Sequence, residues 1–235
     1  MNNSIQVIPF MNLVFAFLPV IVAIFILVKW SLNATNAIYA LSRMLVQLLL
    51  IGYFLTFIFE SDSWLFILFI LIIMVFSSSW IALRTIKNNR TQLLLFALIS
   101  IVVGGGSTLL LVSQGVLDLK PWYFPQYMIP LAGMIFANSM NSVSLAAERF
   151  FAESGRGLSY IESRNTALHT SLIPVINSLF AVGLVSLPGM MTGQILSGVS
   201  PLVAVRYQIM VMCMVFGSSV ISSAVFLTLI KPKTP

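Results

Sequence analysis

Charge is what this chain has least of. Of its 235 residues only 8% are charged, 59% are hydrophobic and the mean hydropathy is +1.04. A soluble domain carries roughly a quarter of its residues charged, so that class is excluded and an integral membrane protein is expected. Cysteine is nearly absent. With Cys213 alone, neither an intrachain disulfide nor a cysteine zinc cluster can form, and nothing follows about the redox compartment. Histidine is as scarce, His169 being the only one. The sequence is therefore poor in the clustered nucleophiles, acids and metal ligands of an enzyme. The enzymatic reading left open is a Ser/His intramembrane protease, pairing His169 with a serine such as Ser77, Ser78 or Ser79. Against it stands an ordinary solvated or interfacial histidine. There is no G-x-x-x-x-G-K-[ST] phosphate loop, so ATP coupling of that kind has to come from a partner chain. No basic residue precedes the first apolar run in MNNSIQVIPF, so the positive start of a secretory signal is missing and that run is expected to be retained as a helix. The two halves also lack the internal repeats that would favour a secondary transporter or channel working without an ATPase.

What the chain has instead is apolar length. A bilayer core takes about 20 mainly apolar residues per helix, and seven such stretches occur, at 10–28, 37–59, 64–83, 93–112, 127–147, 171–196 and 203–230. Continuous runs such as LFILFILIIMVF do not alternate as β-barrel strands do. The expected fold is an all-α polytopic membrane protein of about seven spans, with residues 1–235 forming a single permease-like domain.

The twelve Lys and Arg side chains set the expected orientation, because basic residues are retained on the cytoplasmic side. With the N-terminus outside and the C-terminus cytoplasmic, Lys29, Arg43, Arg84, Lys87, Arg90, Arg149, Arg156, Arg164, Lys231 and Lys233 fall inside. Only Lys120 and Arg206 fall outside. Trp30, Trp64, Trp80 and Trp122 each sit at a predicted helix end, where amphipathic rings favour the headgroup layer. The net charge of +6 thus reads as a sorting signal; it is scattered over short inner segments and is no nucleic-acid footprint.

The stretch GLVSLPGMMTG interrupts the sixth apolar run. Proline removes a helix hydrogen bond and clashes one turn back, and loose backbone at membrane depth is tolerated only against protein or a water-filled cavity. As one straight helix, 171–196 would also measure roughly 39 Å against a core of about 30 Å. The sixth helix is therefore expected to break at Pro188 and Gly189, facing the bundle interior. Gly104, Gly105 and Gly106 interrupt the fourth run, as close-packing positions or as a second break. On the fifth, Met134, Asn138 and Asn141 share a face at i, i+4, i+7. Asn177 in the sixth and Gln208 and Met210 in the seventh add to the polar set, which is expected to point inward because an unpaired amide in lipid is costly. These side chains, with Met190 and Met191, are the candidate lining of a substrate route. The other reading is interhelical glue for the amides and ordinary gap-filling for the methionines. Glu60, Asp62 and Asp118 fall on the outer side, either as an acidic mouth that draws cations or as plain solvated loop carboxylates.

The segments SRMLVQLLLIGYFL (42–55), MIPLAGMIFANSM (128–140), LIPVINS (172–178), GLVSLPGMMTG (183–193) and YQIMV (207–211) together resemble the FetB family of ABC-type permeases, membrane subunits of bacterial iron exporters with plant relatives linked to aluminium tolerance. The resemblance implies a homodimeric, multi-pass unit of the bacterial inner membrane that binds no cofactor itself and exports iron or another metal ion, with ATP and Mg held by a soluble ABC ATPase partner. A small organic cargo such as a nucleotide sugar stays open through the plant relatives. The largest inner segment, 148–170, is then the candidate loop for docking the ATPase, as a short amphipathic helix carrying Phe150, Phe151, Gly155, Arg156, Gly157 and Tyr160. Its glycine region, SGRGLSY, is shorter than the corresponding family loop.

Overall fold

In a computed structural model, residues 8–86 and 90–231 are described. Lys87, Lys233 and the first seven residues of MNNSIQVIPF lie outside them. The described residues are mostly helical and fall into two compact units that divide after Ser61.

The first unit holds α1 (Phe10–Phe15), α2 (Leu18–Lys29) and α3 (Ala34–Phe59). Proline opens both short helices, Pro9 as the residue before α1 and Pro19 in the first turn of α2, where a missing N–H costs nothing. The Asn33 side chain caps α3 by accepting from the Asn36 N–H at 3.1 Å, which satisfies one of the free donors at a helix start. No residue of α2 is buried. Such a helix is stable in a lipid solvent, where apolar side chains need no protein cover.

The second unit contains α4 (Trp64–Ala82), α5 (Arg90–Ile101), α6 (Ser107–Leu110), α7 (Pro125–Gly155), α8 (Tyr160–Ala181), α9 (Gly189–Leu196) and α10 (Pro201–Leu229). In α4 the buried positions Ile67, Leu71, Ser78 and Ala82 recur at helical spacing and form one stripe. The glycine triplet lies in a π-helical turn, Val102–Gly106, followed by α6 and a second π-helical turn, Leu111–Val116. The triplet is a packing device. A Cβ on Gly104 would lie 2.5 Å from the Ser222 backbone nitrogen, and one on Gly105 would lie 2.9 Å from the Phe136 ring, so α10 and α7 approach the backbone where side chains are absent. Pro130 sits inside α7 without ending it.

Five helical spans among the described residues are long and apolar enough to cross a bilayer: Met11–Lys29, Ala34–Phe59, Trp64–Ala82, Arg90–Val116 and Pro201–Leu229. Of the other two expected spans, 127–147 falls within α7, and 171–196 covers the end of α8, the break and α9. Their asparagines and serines lower their hydropathy, so composition alone does not mark them as crossings. The chain is an all-α polytopic membrane protein.

Two expectations are corrected. The segment 148–170 is not a loop with a short helix of its own: α7 runs on to Gly155 and α8 starts at Tyr160. The turn between them is tight because Gly157 takes φ +87° and Ser159 and Glu162 form a reciprocal capping box. The break in the sixth apolar run comes earlier than Pro188. Helix α8 ends at Ala181, Gly183 turns the chain at φ +85°, and Pro188, extended at φ −61° and ψ 147°, is the cap residue that starts α9. Part of the break's backbone is paired internally. The Ala181 carbonyl accepts from the N–H groups of Leu184, Val185 and Ser186, and Gly183 N–H donates to the Ser186 carbonyl at 3.0 Å.

Candidate functional site

Helix α10 carries its buried positions Ala204, Gln208, Val211, Val215, Ser218 and Ser222 along one stripe, and it packs against α7, α8 and α9. Around its first half the packing opens into cavities. One of about 370 Å³ is lined by Tyr127, Met134, Met190, Gln194, Tyr207 and Met210, among others. Met134 comes from α7, Met190 and Gln194 from α9, and Tyr207 and Met210 from α10. Gln194 follows Met190 by one turn, so both face the same side. The Gln194 side-chain oxygen is buried without a hydrogen-bond partner among the described residues, and the hydroxyls of Tyr127 and Tyr207 interact.

A second cavity, of about 310 Å³, lies beside the chain break and is lined by Gly183, Met191, Gln208, Met212 and Cys213, among others. Gln208 is 5% exposed, and neither end of its amide has a partner among the described residues. A buried amide without partners costs about 1–3 kcal/mol, so it is an unspent binding group. A third cavity, of about 610 Å³, is bordered by Arg206, Met210, Cys213, Met214 and Thr108, among others.

Of the expected route residues, the fold thus brings Met134, Met190 and Met210 together at one cavity, and Met191 and Gln208 at the next. The asparagines do not join them. Asn138 donates from Nδ2 to the Met134 carbonyl at 2.8 Å, which satisfies it within its own helix, and Asn141 and Asn177 are exposed. The inward face of α7 carries the small Ser139 and Ser142 instead, since close helix approach leaves no volume for an amide. Pro188 and Gly189 start α9 and so fix where Met190 stands. Gln194, Tyr127, Tyr207, Met212 and Cys213 were not singled out from the sequence. The Met190–Gln194 spacing was a signal for one of them; the tyrosines became neighbours only through tertiary packing.

At the other end of α7 the expected docking residues divide. Phe150 is buried with Ala146, Ala167 and Leu227, and Tyr160 packs against that cluster. The Tyr160 hydroxyl donates to the Leu227 carbonyl at 2.8 Å. Both residues are structural here, because their rings are what ties three helix ends together. Glu153, 4% exposed, accepts ion pairs from Arg149 and Arg156. Phe151, Gly155, Arg156 and Gly157 are exposed, and so are Leu158 and Ile161. The expected outer carboxylates are exposed too, but Asp118 is ion-paired with Lys120 at 2.8 Å, which cancels its charge locally. His169 is exposed, whereas Ser78 and Ser79 both donate to the Val75 carbonyl at 2.8 Å, so the Ser/His pairing is not formed.

Comparison with known proteins places this architecture. The sequence pattern of an uncharacterised protein family, UPF0014, matches residues 10–164 and 158–234. The chain belongs to the UPF0014 family. Among its relatives, the UPF0014 membrane protein slr1647 of Synechocystis is 37% identical over 216 residues, 84% of this chain and 83% of that protein. The probable iron export permease protein FetB of Escherichia coli is 33% identical over 232 residues, 91% of this chain and 87% of its own length. Protein ALUMINUM SENSITIVE 3 of Arabidopsis thaliana is 32% identical over 222 residues, covering 87% and 80%. No solved structure matches this UPF0014 chain.

Proposed function

We propose that this chain is the membrane-spanning permease subunit of an ABC transporter of the bacterial inner membrane, exporting a metal ion with ATP hydrolysed by a soluble partner that holds ATP and Mg. The observation that carries the reading is the convergence of Met134, Met190, Met210 and Gln194 on one cavity, in a protein aligned over 91% of its length with a probable iron export permease. The route follows α10, past this cavity and the next one, which the break borders. Seven crossings with the N-terminus outside give the charge bias its cytoplasmic sign and put the α7–α8 turn inside.

That turn is the docking point for the ATPase. Phe151, Leu158 and Ile161 expose apolar surface there beside Arg156, as expected of a patch that a partner covers. A homodimer is supported by Asn141 and Asn177, exposed on the surface of a membrane-embedded unit, where a second copy relieves the cost of amides facing lipid. Partner closure drives the pair between inward-open and outward-open states through differential contacts.

The test is affinity purification of the tagged protein from its native membrane in mild detergent, with mass spectrometry of stoichiometric companions. Co-purification of a soluble ATPase, lost in Phe151→Asp and Ile161→Asp variants, supports the reading. A protein that comes down without an ATPase moves a channel or an ATP-independent transporter to first place.

A further inference from the structure

We infer that the cavity between α7, α9 and α10 is a thioether site for a soft monovalent metal cation, with Cu(I) or Ag(I) as the fitting cargo. The role as cargo rests on the permease reading; the binding does not. Three methionines reach the cavity from three separate elements, Met134 from α7, Met190 from α9 and Met210 from α10. Sulfur can therefore approach a central ion from three sides. Gln194 also lines the cavity, and its side-chain oxygen, buried and without a partner among the described residues, is free to turn toward an ion as a fourth donor. An orphaned acceptor is satisfied by a cation; the cavity's other oxygen-bearing side chains, Gln126, Tyr127 and Tyr207, are neutral and none of them donates to it.

The donor set decides the class of ion. Neither a carboxylate nor an imidazole lines this cavity, and among the described residues no three His, Cys, Asp or Glu side chains come together. A hard or borderline divalent ion such as Fe(II) seeks oxygen and nitrogen ligands, whereas thioether sulfur selects Cu(I). Charge argues the same way. Neutral ligands leave the ion's charge uncompensated in a low-dielectric surrounding, a penalty that grows steeply from one charge to two.

Sulfur also continues beyond the first cavity. Met191, the residue after Met190, lines the second cavity with Met212 and Cys213, and Met210 and Cys213 both border the third together with Met214. Of the chain's twelve methionines and one cysteine, six methionines and the cysteine surround this part of α10. Residues shared between adjoining cavities give a soft ion successive sulfur partners along one helix.

The test uses the full-length protein in detergent with Cys213→Ser as background, so that thiol binding does not contribute. Ag(I) is titrated calorimetrically, and Cu(I) anaerobically against a competing chelator. One ion per chain is expected. Each of Met134→Leu, Met190→Leu and Met210→Leu should weaken binding at least about tenfold, and the triple variant should abolish it, while Met74→Leu leaves it unchanged. Leucine keeps the volume of methionine, and an unaltered melting temperature shows that the variants are folded. X-ray absorption at the bound silver should report sulfur neighbours. Full affinity in the folded triple variant, or Fe(II) bound more tightly than Ag(I), overturns the inference. Ion binding without a co-purifying ATPase defeats the permease reading and leaves the site standing; an ATPase complex that binds no soft ion does the reverse.

Discussion

Gly104 is the point where α10 touches the backbone of the neighbouring π-helical turn: a side chain there would begin 2.5 Å from the Ser222 amide nitrogen and 2.9 Å from its Cα. Backbone cannot swing aside as a side-chain tip can. Gly104→Ala should therefore push the helices apart and destabilise the folded unit by about 1–3 kcal/mol. Gly106→Ala is the control, because its new carbon meets only Val102 Cγ1 at 3.9 Å, and it should be neutral. Thermal unfolding in detergent reads both.

The turn after α8 depends on Gly183 more than on Pro188. Gly183 holds φ +85°, a left-handed conformation that costs an L-residue about 1–2 kcal/mol. Gly183→Ala should lower stability by that amount and impair transport, while Pro188→Ala, at a helix-start position with ordinary φ, should shift stability by less than about 1 kcal/mol. Comparing the two variants by melting and by vesicle transport checks the order. Equal loss in both would return the break to the proline.

Removing the Tyr160 hydroxyl isolates one hydrogen bond. Tyr160→Phe keeps the ring, 5.9 Å from that of Phe150, and deletes the donor to Leu227. A loss of about 1 kcal/mol is expected, read as a lower melting temperature and faster amide exchange at the end of α10.

Glu162 gives a pH-dependent contribution of known sign. Hydrogen bonds from the Ser159 hydroxyl and backbone N–H hold its carboxyl below the ordinary value of 4.5. A depressed folded value means that the capping box contributes its stability above pH 4.5 and loses it as pH falls through the lower folded value. Titration of the Glu162 carboxyl by NMR should show this depression. Ser159→Ala should return it to the ordinary value and flatten the acid side of the stability profile.

Much of the fold was legible because hydropathy acts locally. The spans ending at Phe59 and near Ala82 appear as read, and of the two readings of the glycine triplet the packing one is found, whereas Pro188, expected to be the break, caps the helix that follows it. The asparagines were misread because helical spacing says which residues share a face, and nothing about which face a neighbour covers. Asn138 turned to its own helix, and serine took the buried seam. Phe150 and Tyr160 look like docking residues in a charged segment. They are core because α10, distant in sequence, returns to cover them.

The sequence by itself determined the class, since so little charge cannot cover the surface of a soluble domain, and it supplied Gly157 and Gly183, on which two of the turns rest at positive φ. Tertiary structure alone decided that Met134, Met190 and Met210, separated by tens of residues, share one cavity with Tyr127, Tyr207 and Gln194. The physical reason is range. Apolar length, caps and turns act over a few residues, whereas a binding site is made where helices from distant segments pack and leave a space that their side chains do not fill.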